Sequence, residues 1–410
     1  MTVLSREMPQ PVALEGILRK ITEGLAKELA CPTQAIPDWS EFEWIVARAV
    51  AAMHGISPLL SRALRWHGPP DWTGFLEEQR SHTAKRHVRI DDLLLRLDQR
   101  ARETGIAAVA LKGVALHAFG VYQAGDRPMA DVDLLVRPAD VPRTAKMLAS
   151  LGYTESFQTW KECVFTRVDE QEPAALGEHS NNGIKIELHE RICEKLPLRI
   201  TDVSEHVFPR QPQPGLNAYP SKASLMTHLL LHAAGAMAFQ SLRLLHLHDL
   251  ARLSSHMTQE DWEAVLEAGK RGERPWWAFP PLNLTSRYFP SKIPVVVLTA
   301  LADDCPYLLK RSARHRTLCD VSYSHLWVDA FPGMEWSQSL REVLEYVANR
   351  VRPSAKHIEF RAHTAESEAW ANRGQWSRLS QGRRILQWIT SRPTRPVTMH
   401  AVRAAFAQSP

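Results

Sequence analysis

Two aspartates separated by one residue are the clearest chemical feature of the chain. Asp131 and Asp133 flank Val132 and run into the apolar stretch 134–136, a pattern that predicts a β-strand. Side chains at positions i and i+2 of a strand share a face, so the two carboxylates would lie side by side. Such close like charges disfavour joint ionisation, and a divalent cation removes that penalty. The pair therefore predicts a site for Mg²⁺ or Mn²⁺.

A third carboxylate, Glu187, lies in the stretch 183–189, which alternates with period two and predicts a strand with one polar face. If this strand lies beside that of Asp131, the three acids could hold two metals for in-line displacement at phosphorus. Glu187 could instead take the proton of an acceptor hydroxyl as general base. His189 shares the face of Glu187 and could bind the acceptor or a metal-bound water. An ordinary, partly exposed strand histidine is the alternative.

Cations precede these acids in the chain. Lys112 and Gly113 lie where a predicted strand (106–111) gives way to a predicted helix (114–122). A glycine there allows close backbone approach, and a helix start favours anions. The Arg127 guanidinium could donate two parallel hydrogen bonds to phosphate oxygens. Each motif alone has a simple alternative, such as an exposed strand carboxylate or an ordinary turn, and their combination in this order favours a nucleotide site.

The elements around these residues predict an α+β fold, in which a small mixed sheet is flanked by helical regions. Hydrophobic periodicity is helical before residue 104 and again after residue 216. We predict an N-terminal helical region (1–104), a core (105–215), a helical C-terminal region (216–350) and a basic segment (351–410). Five prolines interrupt the stretch 275–294, so its secondary structure is hard to predict. Its aromatic residues favour core packing over base stacking.

Composition excludes several classes of protein. The chain has 410 residues, 44% of them hydrophobic and 23% charged, which is typical of a globular protein. The five cysteines form no C-x-x-C pair, and no signal peptide is visible at the N-terminus. The most apolar run, 225–239, is too short to span a bilayer. These features predict a cytoplasmic protein without a membrane partner.

Basic charge is concentrated at the C-terminal end. The net charge is +5, yet residues 351–410 contain ten Lys/Arg and only three Asp/Glu. This segment could bind a phosphate-rich partner, whereas a solvated basic tail is the more common interpretation of such a run.

Two histidines four residues apart, His228 and His232, could bind zinc on one helix face. Helix histidines bonded to carboxylates or backbone are the favoured interpretation, because the protease pattern of a glutamate after the first histidine is missing. His232 and Asp249, together with His189, could support the acid site from behind.

The motifs resemble the family known as uncharacterised nucleotidyltransferases, within the polymerase-beta-like superfamily. The resemblance is carried by Leu-Lys-Gly (111–113), Arg-Pro-Met-Ala-Asp-Val-Asp-Leu-Leu-Val (127–136) and Ile-Glu-Leu-His (186–189). The stretches 44–64, 228–234, 242–245 and 249–253 are similar as well, so that about residues 40–300 are covered. The chain departs from the wider superfamily in two ways: Lys-Gly-Val replaces the usual Gly-Ser or Gly-Gly turn, and the spacing from Gly113 to Asp131 is longer than the minimal pattern. In addition, the third acid is Glu, where similar sequences often have Asp.

The resemblance implies that Asp131, Asp133 and Glu187 are metal ligands and catalytic acids. The expected activity is metal-dependent transfer of an NMP from an NTP, such as ATP, to a hydroxyl or phosphate acceptor, with release of pyrophosphate. The acceptor could be a small molecule, a peptide or RNA. Two alternatives are a degenerate binding protein without turnover, which the three intact acids disfavour, and an RNA-directed transferase that uses the basic segment.

Overall fold

A six-stranded mixed sheet lies in the middle of the chain, and helices precede and follow it, which confirms the predicted α+β class. The structure, a computed structural model, describes residues 8–167, 176–269, 274–353 and 379–408. The strands are β1 (Ala107–Ala110), β2 (Asp131–Val136), β3 (Tyr153–Gln158), β4 (Glu162–Arg167), β5 (Lys185–His189), β6 (Cys193–Leu196), β7 (Arg199–Asp202) and β8 (Gly215–Asn217).

The strand order in the sheet is β3-β4-β5-β2-β1-β8, while β6 and β7 form a separate antiparallel pair. β2 therefore lies inside the sheet, antiparallel to β1 and parallel to β5. The register pairs Asp131 with Lys185, Asp133 with Glu187 and Leu135 with His189. Because facing residues of neighbouring strands project to the same side, this register brings the acids of β2 and β5 together.

The two faces of the sheet differ: one is apolar in β2 and β5, whereas the other carries the acids beside the buried Val109 and Leu135. Val132 and Leu134 of β2 pack with Ile186 and Leu188 of β5 in a small apolar core that also includes part of the long helix before β1. The alternating positions, with the acids, point to the other side. The structure thus confirms the strands that the period-two pattern predicted, with the apolar positions on one face and the acids on the other.

Helices make up the remaining layers and share a second, larger core. The helices are α1 (Pro11–Ala30), α2 (Glu41–Met53), α3 (Ser57–Ala63), α4 (Pro70–Glu103), α5 (Lys112–Ala118), α6 (Val141–Ser150), α7 (Ser204–Val207), α8 (Lys222–Ala238), α9 (Leu244–Ser254), α10 (Gln259–Leu266), α11 (Phe279–Tyr288), α12 (Val295–Asp304), α13 (Tyr307–His315), α14 (Leu318–Val321), α15 (Leu340–Val351), α16 (Gln381–Ser391) and α17 (Pro396–Ala407).

The proline-rich stretch that the sequence left unassigned contains α11. Pro280 and Pro281 lie in the first turn of this helix, where a missing N–H costs no hydrogen bond. Trp277, Phe279 and Phe289 are buried in the large core, which confirms core packing as the role of these aromatic residues.

The basic segment 351–410 lies partly outside the described residues, since 354–378 are not described. Its last helix, α17, packs on α2 and buries Ala401, Val402 and Ala405 in the large core. In addition, the Arg48 guanidinium of α2 donates to the Ala405 carbonyl at 3.3 Å. For residues 396–407, the interpretation as a solvated tail is therefore wrong.

Among the described helices, no single one has both the length and the hydropathy of a membrane span. One bent pair, α2 with α3, passes by length and composition when the two are taken together, with 112° between them.

Candidate active site

The centre of the site is a group of three side chains from two adjacent strands. Asp133 of β2 and Glu187 of β5 are direct partners in the register, and His189 follows two positions along β5. One potential ligand atom from each residue lies within 4.8 Å of the other two. His189 Nε2 is 3.0 Å from Asp133 Oδ1 and 3.9 Å from Glu187 Oε2. The structure therefore brings together two of the three predicted acids and the histidine.

A lysine from the neighbouring turn reaches the same carboxylate. The Lys112 ammonium donates to Asp133 Oδ1 at 2.7 Å, and both side chains are largely buried, with 17% and 4% exposed. Burial alone would lower the pKa of Lys112, yet the charges of Asp133, Glu187 and Asp131 outweigh it and raise that pKa. Lys112 is thus held as a cation at the centre of the acid group.

The three acids are perturbed in different directions. Burial raises the pKa of Asp131, and the charge of Asp133 raises it further. Burial acts on Asp133 in the same direction, but Lys112 and His189 hold its pKa well below the ordinary value. Burial and the charges of Asp131 and Asp133 raise the pKa of Glu187 well above that of an exposed glutamate. Opposed shifts in one cleft are typical of sites that bind metals or move protons.

Asp131 lies at the start of β2, half-buried, and outside the group of atoms within 4.8 Å. Its charge nevertheless acts on both Glu187 and Lys112. Arg243, just before α9, also acts on Asp131, although the sequence did not single it out as a site residue. The charge of Arg243 opposes the upward shift in the pKa of Asp131, and its guanidinium lies 5.5 Å from the centre of the Tyr323 ring.

The backbone at Lys112 is held in an unusual conformation. Its φ of 45° lies in the left-handed region that is costly for a residue with a side chain. The Lys112 N–H donates to the Tyr219 hydroxyl at 3.4 Å, and that hydroxyl is 2.7 Å from His228 Nδ1. These contacts hold the turn between β1 and α5 beside Asp133. The local sequence contains no pattern that predicts them, since both partners are far along the chain.

Arg127 is bound to a carboxylate within the protein. Its Nε and Nη2 donate to the two oxygens of Asp249 at 2.9 and 2.8 Å, and both side chains are more than nine-tenths buried. Tyr122 also donates to Asp249 Oδ1 at 2.8 Å. The third nitrogen of the guanidinium, Nη1, donates to the carbonyl of Pro128 at 3.2 Å. Binding of Arg127 to phosphate stays a prediction, as does a supporting role for Asp249 in the site.

Gly113 is required by its contact with Arg127. A Cβ at this position would lie 2.3 Å from Arg127 Nη1 and 2.9 Å from Met129 Cγ. The sequence suggested that this glycine lets a phosphate approach, whereas here the space is filled by the protein's own guanidinium. The Arg127–Asp249 pair and the Lys112–Gly113 turn are consequently one packed unit.

His232 lies in a second polar group next to the acids. Its Nδ1 is 3.7 Å from Glu194 Oε1 of β6, and the Lys161 ammonium is 3.2 Å from the same oxygen. His228, one helical turn earlier, is bonded to Tyr219. Each of the two histidines thus has a partner within the protein, Glu194 for His232 and Tyr219 for His228.

The donor set fits a divalent cation of the hard class. Carboxylate oxygens are the ligands that Mg²⁺ and Mn²⁺ prefer, and an imidazole nitrogen is compatible with Mn²⁺ and with other transition metals. The acids carry more negative charge than Lys112 neutralises, and this excess adds to burial in raising the pKa of Glu187 and of Asp131. A cation between Asp133, Glu187 and His189 would relieve it.

Comparison with known proteins agrees with the motifs. A family model described as "Uncharacterised nucleotidyltransferase" matches residues 40–289, a range that contains the whole sheet and the helices α2 to α11. Neither the curated proteins nor the solved structures contain a match to this chain.

Proposed function

The chain belongs to the uncharacterised nucleotidyltransferase family, and from this premise we propose that it is a metal-dependent nucleotidyltransferase. The reaction moves an NMP from an NTP to a hydroxyl or phosphate acceptor. A bond forms between the acceptor oxygen and the α-phosphorus, the bond from that phosphorus to the bridging oxygen breaks, and pyrophosphate leaves. The observation that carries the proposal is the pairing of Asp133 with Glu187 in register, with His189 beside them.

The metal ligands would be Asp131, Asp133 and Glu187, with His189 next to them. A bound Mg²⁺ or Mn²⁺ would neutralise charge on the phosphate oxygens as the transition state forms. His189 holds Asp133 in place through the contact at 3.0 Å, which favours one orientation of that carboxylate.

Glu187 is the candidate for the proton acceptor. A raised pKa makes a carboxylate a stronger base, and Glu187 combines such a shift with a place on a strand different from that of the two aspartates. The acceptor proton would pass to it as the new bond forms. The alternative is that Glu187 serves only as a metal ligand.

The phosphates of the NTP would meet the cations around the acids. Lys112 and Gly113 lie at the turn beside Asp133, and the Lys112 ammonium is close enough to bind phosphate once it leaves Asp133. We retain Arg127 as a candidate for phosphate binding, although it first has to release Asp249. Arg243 is a further candidate, since the described residues contain no ion pair that occupies its guanidinium.

The proposal can be tested with labelled nucleotides. The protein is incubated with each of the four NTPs, labelled at the α- or the γ-phosphate, with Mg²⁺ or Mn²⁺ and a cell extract as the source of acceptor. We expect the α-label, and not the γ-label, to move to an acceptor, and the Asp133→Asn variant to show no transfer. Asp92→Asn on the surface of α4 is the matched control.

The Glu187→Gln variant distinguishes the two candidate roles of Glu187. If Glu187 is a general base, the variant should have a single-turnover rate lower by roughly 10²–10⁴-fold and an unchanged NTP affinity. As a ligand only, it would lower NTP affinity like Asp133→Asn. Transfer of the γ-label, or wild-type transfer by Asp133→Asn, would refute the proposed reaction.

A further inference from the structure

A cavity of about 390 Å³ lies between α4 and the segment 176–179, which leads toward β5. Its volume is within the range of sites that bind small molecules. Arg48 of α2 and Gln408, the residue after α17, complete the wall. The other polar side chains of the lining include Asp71, Glu78, His82, Glu178 and His179.

Glu178 connects this cavity to the acid group. Its Oε2 is 3.0 Å from Arg86 Nε. Arg86 Nη2 in turn donates at 3.1 Å to the carbonyl of Ala130, the residue before Asp131. Burial raises the pKa of Glu178, and the charge of Asp131 adds to burial, whereas Arg86 and Arg243 oppose the shift. Because the effect of a charge decreases with distance, the Glu178 end of the cavity adjoins the acid group.

Hydrogen bonds to α4 hold the wall that contains Glu178. The Glu178 N–H donates to Gln79 Oε1 at 2.7 Å, and Gln79 Nε2 donates to the Glu178 carbonyl at 3.0 Å. One helical turn later, His82 Nδ1 accepts from the Ser180 N–H at 3.1 Å. A Cβ on Gly177 would overlap Gln79 Oε1, so the close approach of the segment to α4 requires glycine. The cavity is therefore formed before a ligand arrives, which lowers the cost of binding.

Acidic groups outnumber basic groups in the lining. Three carboxylates, those of Asp71, Glu78 and Glu178, face one guanidinium, that of Arg48. Arg48 Nη2 already donates to a backbone carbonyl of α17 at 3.3 Å. Arg86 lies outside the lining, and even if it is counted the carboxylates are in excess, three to two. Recognition of phosphates by proteins relies on Lys and Arg, so this cavity disfavours RNA and phosphate esters.

The lining suits a ligand rich in hydrogen-bond donors. Ionised carboxylates only accept hydrogen bonds, and hydroxyl and ammonium groups are the donors that satisfy them. His82 Nε2 is 3.3 Å from Glu78 Oε1, which leaves the second oxygen of that carboxylate for a ligand. Phe75 and Leu176 add apolar surface for a carbon skeleton.

We propose that this cavity binds the acceptor of the reaction, and that the acceptor is a small polyol or amino-polyol without a phosphate group. This inference rests on the proposed nucleotidyl transfer, because it selects one class from the acceptors of that reaction. Polyol and amino-polyol present the same donors to the carboxylates, and they differ in the positive charge of the amine.

Three sugars of similar size and different charge test the cavity. Glucosamine, glucose and glucose 6-phosphate are titrated onto the full chain in EDTA, and saturation transfer from the protein is followed by NMR, so that no metal and no turnover are needed. We expect glucosamine and glucose to bind and glucose 6-phosphate to bind most weakly. Tighter binding of glucosamine than of glucose would identify the amino-polyol. Absence of binding by all three sugars, or tightest binding of glucose 6-phosphate, would overturn the inference.

Glu78→Gln removes one carboxylate of the lining without a change in shape. We expect it to reduce the preference for glucosamine over glucose 6-phosphate by about tenfold, because a unit charge beside the ligand is lost. Glu77→Gln is the matched control, since Glu77 is an exposed neighbour on the same helix and does not line the cavity. The same preference in wild type and Glu78→Gln would contradict the assignment.

Fractionation of the cell extract tests the acceptor class in the reaction itself. A low-molecular-weight filtrate is passed through an anion-exchange resin, which retains RNA and phosphate esters. We expect the label of an α-labelled NTP to be transferred to an acceptor in the flow-through. Transfer that requires the retained fraction would overturn this inference and leave the proposed reaction standing. Binding of the sugars in the expected order without any transfer would refute the reaction and support the cavity as a polyol site.

Discussion

The Lys112 ammonium lies 2.7 Å from Asp133 Oδ1, on a carboxylate that is also within reach of Glu187 and His189. The Lys112 ammonium is thus bonded to one of the oxygens that a metal would use as a ligand. Lys112 belongs to the turn after β1 rather than to β2 or β5, so its side chain is not part of the strands that carry the acids. Competition between the lysine and the metal follows from this arrangement.

We expect divalent metal to bind weakly to the protein alone and more tightly with an NTP, whose phosphates draw Lys112 away from Asp133. Lys112→Met should strengthen binding of Mn²⁺ in the absence of nucleotide by about tenfold or more, since a unit charge a few ångströms from the site is removed. Titration of Mn²⁺ followed by electron paramagnetic resonance measures this. Lys146→Met, an exposed lysine on α6, is the control, and unchanged affinity in Lys112→Met would refute the competition.

The two aspartates should differ in their effect on stability. Asp133→Asn breaks a buried pair and leaves Lys112 without its carboxylate, so we expect a loss of about 3 kcal/mol. Burial, and then the charge of Asp133, raise the pKa of Asp131, which means that its ionised form is unfavourable in the folded protein. Asp131→Asn removes this charge, so the metal-free protein should be unchanged or slightly more stable. Urea unfolding in EDTA compares the two variants. Equal losses would show that the ion pair with Lys112 does not distinguish them.

Substitution of Arg127 or of Asp249 should have the same effect if Arg127 supports the turn at Gly113 and does not itself bind phosphate. In that case Arg127→Ala and Asp249→Asn weaken NTP binding to a similar degree, because in either variant no fixed guanidinium packs beside Gly113. A double-mutant cycle on stability should give a coupling of about 2 kcal/mol or more. Loss of NTP affinity in Arg127→Ala alone would instead support direct contact with phosphate.

Substitution of two helical glycines by alanine should have opposite effects. Gly113→Ala places a Cβ 2.3 Å from Arg127 Nη1, whose guanidinium is fixed by Asp249, so we expect destabilisation by about 1–3 kcal/mol and slower transfer. Gly74→Ala in α4 meets no atom within 4 Å and should stabilise by about 0.5–1 kcal/mol. Thermal unfolding measures both. A neutral Gly113→Ala would mean that the contact with Arg127 is easily relaxed.

Glu194 should make stability depend on pH. Burial alone would raise its pKa, but Lys161 and His232 outweigh burial and lower the pKa from 4.5 to about 2. The unfolded chain therefore takes up this proton first as pH falls, and the stability that Glu194 contributes is complete above pH 4.5 and is lost between pH 4.5 and about 2. The stability difference between wild type and Glu194→Gln should narrow from pH 7 to pH 3. A constant difference would contradict this assignment.

Local pattern was enough to place each acid on the polar face of its own strand. Alternation with period two is a property of a single strand, so Asp131, Asp133 and Glu187 could be assigned to polar faces from their neighbours alone. The helices around the sheet followed from apolar periodicity in the same way. Where the pattern was interrupted, as by the prolines at the start of α11, the prediction stopped although the helix did not.

Only the tertiary structure decided which side chains meet. The contacts of Asp133 with Lys112 and His189, and of Arg127 with Asp249, join residues 21, 56 and 122 positions apart. Such contacts depend on the register of β2 with β5 and on the packing of α9 against the turn before β2. Register and packing are set by the burial of many side chains together, whereas periodicity reports only which face each residue occupies.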